Sequence, residues 1–178
     1  DKNNLKFKTF CEVGCGAGKI LYYLSKKYKN NSFFGYEISK KAFSMCTKGQ
    51  KKIKYYNSHL KKNKKYDVIL CADVVEHVEK DRKFLASLLS SLAPGGKIVV
   101  CVPAFNFLWS DHDVFLEHYR RYSRRSLVKI CMGLRCDVVE SGYLFHFIFP
   151  LVCVLRLAGK QLRKLGIGGG SPKSGLKK

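Results

Sequence analysis

The sequence predicts an α/β fold in which helices cover both faces of a mostly parallel, doubly wound sheet. Short apolar runs alternate along the chain with segments whose apolar residues recur every three or four positions. The short runs are apolar throughout rather than at every second residue, which is typical of parallel strands buried on both faces. Strands that alternate with helices in this way build a sheet whose crossovers are helical.

Six apolar runs are the predicted strands, at residues 7–13, 32–37, 53–56, 66–72, 98–102 and 135–140. Helices are predicted over 19–28, after a cap at Ser39, over 81–93, after a cap at Ser123 and from Phe149 onward. In these segments apolar side chains recur at helical spacing, and serine is a favoured N-cap residue. Pro94-Gly95-Gly96 is expected to separate the third helix from the fifth strand.

Length and composition indicate one domain with a basic surface. A chain of 178 residues, 46% of them apolar, fits a single core over residues 1–165, and the Gly-, Ser- and Lys-rich tail 166–178 is predicted to be flexible. The eight cysteines show no paired spacing, which favours free thiols in a reducing cytoplasm. The net charge of +21 suits a nucleic acid, an acidic lipid or a phosphorylated carrier as partner, but the dispersed, loop-centred lysines favour the alternative of a lysine-rich solvated surface.

A glycine-rich turn follows the first predicted strand, with the order Glu12-Val13-Gly14-Cys15-Gly16-Ala17-Gly18. Glycine tolerates positive φ and lets a ligand approach the backbone closely. The spacing G-x-G-x-G differs from the G-x-G-x-x-G of dinucleotide-binding turns, where pyrophosphate lies at the helix N-terminus. Glu37 ends the second strand, where a carboxylate can accept both hydroxyl hydrogens of a ribose. Taken singly, these features also fit a tight turn and a solvated charge.

Two further segments make the pattern more specific, namely residues 66–78, which read YDVILCADVVEHV, and Pro94-Gly95-Gly96-Lys97. With the glycine turn they resemble the class I S-adenosylmethionine-dependent methyltransferases over about the first hundred residues. The resemblance implies a Rossmann-like fold, S-adenosylmethionine as cofactor and methyl transfer as activity. The cofactor-binding residues it implies are Glu12, Gly14, Cys15, Gly16, Gly18, Glu37, Ile38, Asn57, Ser58, Ala72, Asp73 and His77.

Two positions in this set leave alternatives open. Asn57 stands where family members commonly carry an aspartate that contacts the adenine amino group, and its amide oxygen can accept the same hydrogen bond. Asp73, Glu76 and His77 resemble a cluster that is thought to hold a divalent ion in ubiquinone-pathway O-methyltransferases. We favour a role in cofactor binding for this cluster and predict no metal site.

The segment 102–123 begins at the carboxyl end of the fifth predicted strand, where open α/β sheets bind ligands. It resembles a bacterial methyltransferase subgroup with PAF, LWS and HYRRYS segments, which is loosely linked with cell-surface glycan or lipid-linked carrier metabolism. His112 and His118 are candidate general bases. Candidate acceptor contacts are Trp109, Asp113, Arg120, Arg121 and Tyr122. Each has a structural alternative. Trp109 can belong to the core, and His118 can form a purely structural hydrogen bond. The two arginines can pair with Glu117 or cap the next helix.

Residues 143–158 are nearly all apolar and precede Lys160, Arg163 and Lys164. The stretch is short and interrupted for a membrane span. We favour a helix that packs on the domain, with peripheral membrane contact through Tyr143–Lys164 as the alternative. No candidate for the family's antiparallel seventh strand follows Ala158, so we expect the sheet to lack it, which favours a fragment or a truncated gene product.

The leading functional hypothesis is a methyltransferase that acts on a small-molecule, glycan or lipid-linked acceptor, in the cytoplasm or at a membrane surface. An RNA methyltransferase is the first alternative, supported by the charge but lacking an RNA-binding appendage or an N-P-P-Y-type motif. A degenerate cofactor-binding domain without activity is the second. No motif specifies the acceptor or the oligomeric state.

Overall fold

The structure is a computed structural model that describes residues 6–46, 52–61, 63–144 and 146–164. The chain divides into two compact units. The first unit comprises Asp1–Val75 and Lys80–Cys101, and the second comprises Glu76–Glu79 and Val102–Lys178. The tail 166–178, predicted to be flexible, lies outside the described residues.

A five-stranded sheet with the order β3-β2-β1-β4-β5 forms the centre of the first unit. Its strands are β1 (Thr9–Val13), β2 (Ser32–Tyr36), β3 (Ile53–Tyr56), β4 (Tyr66–Ala72) and β5 (Leu92–Cys101). Every neighbouring pair is parallel. The chain runs outward from β1 to β3 and then returns to place β4 beside β1, which confirms the doubly wound fold. The strand order therefore reverses between β1 and β4, and such switch points are where open α/β sheets bind ligands.

Three helices of the first unit connect these strands: α1 (Lys19–Lys27), α2 (Lys40–Ser44) and α3 (Asp81–Leu89). The predicted cap of α2 is confirmed, since Ser39 Oγ accepts a hydrogen bond from the Ala42 N–H at 3.3 Å. The predicted extension of α3 to residue 93 is wrong. Leu92 already pairs with Tyr66 in the sheet, and a register shift between Tyr66 and Val68 accommodates the Pro-Gly-Gly segment within β5.

The core of the first unit contains a cluster of buried side chains from β1 to β4, from α1, from the glycine turn and from the end of α2: Phe10, Cys15, Leu21, Phe33, Cys46, Ile53 and Val68. Tyr36 and Tyr66 are also fully buried, and their hydroxyls share a hydrogen bond of 2.7 Å. All eight cysteines are free thiols. Burial raises the pKa of the Cys11 thiol, so this cysteine behaves as a small apolar residue of the core.

The second unit contains the helices α4 (Asp111–Phe115), α5 (Arg124–Gly133) and α6 (Phe149–Lys164). The predicted cap of α5 is confirmed by a reciprocal pair, in which Ser123 Oγ accepts from the Ser126 N–H and Ser126 Oγ accepts from the Ser123 N–H. The predicted packing of α6 is also observed, since Arg156 on this helix donates hydrogen bonds to the Leu108 carbonyl and to Asp113.

The sixth predicted strand, at residues 135–140, is wrong. Residues 136–140 have no regular secondary structure, and Val138 and Val139 are 39% and 78% exposed. An apolar run becomes a strand only where a neighbouring strand pairs with its backbone and covers its side chains. The sheet ends at β5, and the described residues that follow Cys101 contain no further strand.

Candidate functional sites in the two units

The glycine turn between β1 and α1 depends on all three of its glycines for its backbone path. Gly14, Gly16 and Gly18 have positive φ angles of 72°, 51° and 74°. A Cβ at Gly14 would overlap a methyl group of Val74, and a Cβ at Gly18 would overlap the Tyr55 hydroxyl. A Cβ at Gly16 would meet nothing within 4 Å. The turn is therefore packed on both sides and open at Gly16, where a ligand can approach the backbone.

Cys15 contributes to this turn through its backbone. Its side chain is 7% exposed and belongs to the core cluster. The N–H groups of Gly14 and Cys15 both donate to the Tyr36 carbonyl, at 2.8 and 3.1 Å, which ties the turn to the end of β2. The predicted cofactor role of Cys15 therefore falls to its main chain, because its thiol belongs to the core.

Glu37, directly after β2, is fixed against the glycine turn. One carboxylate oxygen accepts from the Gly16 N–H at 2.9 Å, and the other accepts from the Ser39 N–H at 2.8 Å. The side chain is 9% exposed. Each carboxylate oxygen can accept more than one hydrogen bond, so both remain able to receive further donors. The hydrogen bond from Gly16 could not be foreseen from the sequence, since the two residues are 21 positions apart.

Glu12, near the end of β1, is a buried carboxylate with unused bonding capacity. It is 4% exposed, and its Oε2 atom has no hydrogen-bond partner among the described residues. Burial raises its pKa to about 7; a hydrogen bond from the Leu21 backbone opposes this shift, and the charge of Glu37 adds to it. A cationic ligand group at this carboxylate would restore its ionised form, because an opposite charge favours ionisation. Glu12 is therefore suited to bind an ammonium group.

Asn57, directly after β3, joins the ends of two strands. Its amide nitrogen donates to the carbonyls of Glu37, at 2.8 Å, and of Ile38, at 3.2 Å. Both bonds need N–H donors, which an ionised aspartate lacks. This arrangement gives a physical reason for asparagine at this position, and the amide oxygen is the atom of the side chain that can accept. Of the neighbouring predicted residues, Ile38 is 64% exposed, and Ser58 Oγ donates to the His59 carbonyl at 3.1 Å.

The chain leaves β4 at Ala72 through an unusual turn. Asp73 has a φ of 53°, a conformation that is uncommon for a residue with a side chain, and its N–H donates to the Cys101 carbonyl at 3.0 Å. Asp73 is exposed, and the next residue, Val74, packs against Gly14. Within the first unit, the predicted cofactor residues thus lie at the carboxyl ends of β1 to β4, at and beside the switch point.

Asp113, on α4, organises the second unit. It is fully buried, and its carboxylate accepts from five donors: Arg121 Nε at 2.7 Å, Arg121 Nη2 at 3.1 Å, Arg156 Nη1 at 3.0 Å, the Ser110 N–H at 2.9 Å and Ser110 Oγ at 3.3 Å. His118 Nδ1 lies 3.0 Å from the same carboxylate. Burial by itself raises the pKa of Asp113, but the hydrogen bonds from Arg121, Ser110 and His118 outweigh it and hold the pKa well below its usual range.

These contacts change the interpretation of Asp113 and Arg121, which the sequence predicts as acceptor contacts. Arg121 is 9% exposed and donates through Nη1 to the Ala104 carbonyl at 2.9 Å, in addition to its two bonds with Asp113. Both side chains are therefore engaged inside the second unit, which favours a structural role. Asp113 stands among polar residues, so the sequence gives no sign that it is buried.

The other predicted acceptor contacts have varied surroundings. Trp109 is half-buried, whereas Tyr122 is 4% exposed and pairs through its backbone with Pro103 and Phe105. Arg120 donates to the Glu79 carbonyl at 2.7 Å. Trp109 and Arg120 keep part of their side chains accessible to a ligand, whereas Tyr122 is buried. The predicted role in acceptor binding therefore fits Trp109 and Arg120 better than it fits Tyr122.

Of the two candidate bases, His118 has an orienting partner. Its Nδ1 faces the buried carboxylate of Asp113, so Nε2 is the ring nitrogen that can exchange a proton. The ring of His77 packs edge-on against it, with centroids 4.6 Å apart. His112 is exposed on α4. The structure thus gives His118 the arrangement of a positioned base.

Glu76, His77 and His118 also come together as possible metal ligands. One ligand atom from each lies within 4.8 Å of the others, and Glu76 is fully buried. One carboxylate and two imidazoles suit a divalent transition metal. Sequence reasoning singled out Glu76 and His77 but could not add His118, which lies 41 positions beyond His77. The cofactor role of His77 stays a prediction.

Comparison with known proteins gives matches to methyltransferases. The family model described as a methyltransferase domain matches residues 2–141. The ubiquinone biosynthesis O-methyltransferase of Rickettsia canadensis is 31% identical over 103 residues, which cover 55% of this chain and 44% of that protein. An uncharacterized protein of Methanocaldococcus jannaschii is 29% identical over 149 residues, covering 75% of this chain and 39% of that protein. The chain thus spans less than half the length of these two relatives.

Among solved structures, the plantazolicin methyltransferase BpumL in complex with SAH is similar in fold. It has a TM-score of 0.61 at 16% identity, and the match covers 89% of this chain and 72% of that chain. The related BamL structure has a TM-score of 0.60 at 14% identity, covering 75% of this chain and 56% of that chain. Separately, no helix within the described residues is long and apolar enough to cross a membrane.

Proposed function

The chain belongs to the methyltransferase domain family, and on that premise we propose that it transfers a methyl group from S-adenosylmethionine to a small-molecule, glycan or lipid-linked acceptor. The observation that carries the proposal is the Glu37 carboxylate, held by the Gly16 and Ser39 N–H groups beside the open side of the glycine turn. A carboxylate fixed there suits the two ribose hydroxyls of the cofactor.

The remaining parts of the cofactor have partners of matching chemistry in the first unit. The unpartnered oxygen of Glu12 would receive the ammonium group, and the amide oxygen of Asn57 would accept from the adenine amino group. The backbone of the glycine turn would contact the methionine portion, whose carboxylate can accept hydrogen bonds from main-chain N–H groups. Asp73, exposed at the end of β4, would supply a further acceptor.

Methyl transfer requires positioning more than covalent participation of the protein. The bound cofactor would supply an electrophilic methyl group on its sulfonium: the acceptor oxygen's lone pair would form the new bond to the methyl carbon, and the electron pair of the broken carbon–sulfur bond would stay on sulfur. The acceptor's hydroxyl proton must leave in the same step. We assign that proton to Nε2 of His118, because Asp113 would hold the Nδ1–H and so leave Nε2 as the accepting ring nitrogen. The ubiquinone-pathway relative is named as an O-methyltransferase, which supports oxygen as the atom methylated.

Calorimetric titration tests the cofactor half of this proposal. We expect wild-type protein to bind S-adenosylmethionine and S-adenosylhomocysteine with micromolar affinity, and Glu37→Ala to bind at least about tenfold more weakly. Glu140→Ala, which removes an exposed carboxylate from the second unit, is the matched control and should bind like wild type. A folded wild-type protein that binds neither compound would favour a domain that has lost its activity.

Transfer of a radiolabelled methyl group tests the acceptor half. Phenolic lipids, lipid-linked glycans and bulk RNA would be offered in parallel, with label in a phenolic lipid or a glycan as the expected result. His118→Gln should then slow transfer by about 10²- to 10⁴-fold, while His112→Gln should stay within about twofold of wild type. Equal losses in the two variants would contradict the role proposed for His118.

A specific observation keeps RNA as the second candidate acceptor. An open pocket of about 300 Å³ on the first unit is lined by Lys29, Lys52 and Lys54 beside Asn30 and Asn31. Three ammonium groups in one pocket suit phosphate groups, and the net charge of +21 acts in the same direction. Label that enters RNA, with binding that weakens steeply as salt rises, would replace the leading acceptor class.

A further inference from the structure

The outward side of α6 exposes large apolar side chains that methyl transfer does not use. Leu151, Val154 and Leu155 are 60%, 63% and 63% exposed, and Phe147 in the preceding turn is 72% exposed. Leu151, Val154 and Leu155 fall on one stripe of the helix at helical spacing, and Phe147 lies four positions before Leu151. We call these four residues the α6 apolar surface. Isolated exposed apolar residues are ordinary, but a continuous stripe of them marks an interaction site.

The charged and apolar side chains of α6 are placed in the opposite way to those of a helix that faces water. Arg156 is the only charged residue between Phe149 and Gly159, and it lies on the inner side of the helix. There it donates to the Leu108 carbonyl at 2.7 Å and to Asp113 at 3.0 Å. A water-facing helix keeps its charges outside and its apolar side chains inside. The outer side of α6 is therefore built for an apolar neighbour.

The positive charge of residues 141–178 indicates that this neighbour is anionic. The residues from Ser141 to Lys178 include seven lysines and arginines and no aspartate or glutamate. Arg156 is engaged with Asp113, and the other six follow the α6 apolar surface in the sequence, from Lys160 onward. An apolar helical stripe followed by a basic run is the pattern of helices that lie at the surface of anionic membranes.

The length of α6 fits a helix that lies along a membrane rather than across it. The helix has 16 residues, which corresponds to about 24 Å, less than the roughly 30 Å of a bilayer's hydrocarbon core. We propose that the α6 apolar surface docks onto an anionic lipid membrane, with its side chains at the boundary between headgroups and acyl chains. The positive charge of the sequence that follows favours anionic lipids over neutral ones. This docking does not depend on the methyl-transfer activity.

Vesicle co-sedimentation tests the proposal with the full chain. The probes are vesicles of phosphatidylcholine alone and vesicles that also contain roughly 30% phosphatidylglycerol. Wild-type protein should sediment with the anionic vesicles and much less with the neutral ones, and should be released as salt rises. The double variant Val154→Glu/Leu155→Glu should bind the anionic vesicles about 100-fold more weakly, because two apolar side chains no longer enter the lipid.

The matched control is Tyr23→Glu/Met132→Glu, which adds the same charge at two apolar residues that are 68% and 66% exposed on α1 and α5. It should bind vesicles like wild type. Because all four substituted side chains are exposed, both variants should keep the wild-type circular dichroism and the wild-type affinity for S-adenosylmethionine. That second readout separates failure of membrane docking from failure of the proposed enzymatic function.

Three outcomes would overturn the proposal. The first is no sedimentation of wild-type protein with anionic vesicles. The second is equal weakening of vesicle binding in the control and in the α6 variant, which would assign the effect to added charge alone. The third is a wild-type dimer in sedimentation velocity that the α6 variant converts to monomer without vesicle binding by either, which would make a second copy of the chain the occupant of this surface.

Discussion

The two units hold their functional side chains in different ways. In the first unit, main-chain groups do most of the positioning: two N–H groups fix Glu37, and two carbonyls hold Asn57. In the second unit, one buried carboxylate, Asp113, gathers His118 and Arg121 from the segment that follows it and Arg156 from α6. The first arrangement follows from strand order and turn conformation, whereas the second depends on a single residue.

The largest effect is expected from Asp113→Ala, which breaks the second unit at its centre. Removal of the carboxylate leaves two guanidinium groups and an imidazole without their shared acceptor, and such a loss in a buried site costs about 3–5 kcal/mol. The free energy of unfolding, measured in urea, should fall by this amount. Asp137→Ala, at an exposed position of the same unit, should change it by less than about 0.5 kcal/mol. A loss below about 1 kcal/mol for Asp113→Ala would show that the network is not central.

In the first unit, the largest loss of stability is expected from substitutions that strain the backbone of the glycine turn. Gly14→Ala should cost about 3 kcal/mol, because alanine is strained at a φ of 72° and its methyl group would overlap Val74. Gly16→Ala has the strain without the overlap and should cost about 1–2 kcal/mol. Thermal unfolding of both variants, and of Gly14→Ala combined with Val74→Ala, separates the two contributions. Equal losses for Gly14→Ala and Gly16→Ala would contradict the close packing described at Gly14.

Glu12→Gln extends the contrast between the units to a buried carboxylate of the first unit, whose Oε2 atom has no partner among the described residues. Its folded pKa of about 7 lies above its usual value near 4.5, so the folded state binds the extra proton between these values. Stability from this group is therefore lost as pH rises from about 4.5 to 7. Glutamine removes that loss, so the variant should be up to about 3 kcal/mol more stable than wild type at pH 8 and similar to it at pH 4.

The same variant should bind S-adenosylmethionine more weakly at pH 8, because the ammonium group would lose its anionic partner. Wild-type affinity should fall below about pH 7 as Glu12 becomes protonated, while the affinity of Glu12→Gln should be flat over that range. Unfolding curves and titrations at pH 5, 7 and 8 provide the test. A variant with wild-type affinity at every pH would remove Glu12 from the proposed cofactor site.

The smallest effect is expected from Asn57→Asp, which introduces the residue that family members commonly carry. An ionised aspartate cannot donate to the Glu37 and Ile38 carbonyls, and its charge would lie close to them. We expect cofactor affinity to fall about tenfold, or about 1.4 kcal/mol, in a calorimetric titration. Tighter binding would mean that a carboxylate oxygen that accepts from the adenine amino group contributes more to affinity than the hydrogen bonds from Asn57 to the Glu37 and Ile38 carbonyls.

The sequence predicts local features of the molecule well and features that depend on distant contacts poorly. The limits of β3 and β4, the caps at Ser39 and Ser123 and the position of Glu37 are all predicted correctly. Each depends on residues close together in the chain or on a motif of fixed spacing. The predicted strand at 135–140 fails because pairing with a neighbouring strand is a non-local condition.

The network of the second unit was not predictable for a related reason. Asp113, His118, Arg121 and Arg156 are spread over 44 positions, and nothing in their spacing tells a buried ion-pair network from a row of solvated charges. Burial decides between these two cases, and burial is known only once the segments have folded together. The acceptor roles first predicted for Asp113 and Arg121 show this ambiguity, since their contacts favour a structural role.

The most direct test of the division of roles compares Glu37→Ala and His118→Gln in two assays. We expect Glu37→Ala to weaken S-adenosylhomocysteine binding at least about tenfold, whereas His118→Gln should bind it like wild type and lose about 10²-fold or more in the rate of methyl transfer at saturating cofactor. If His118→Gln instead lost cofactor affinity and kept its rate at saturation, His118 would be a cofactor ligand, and the assignment of proton transfer to the second unit would be wrong.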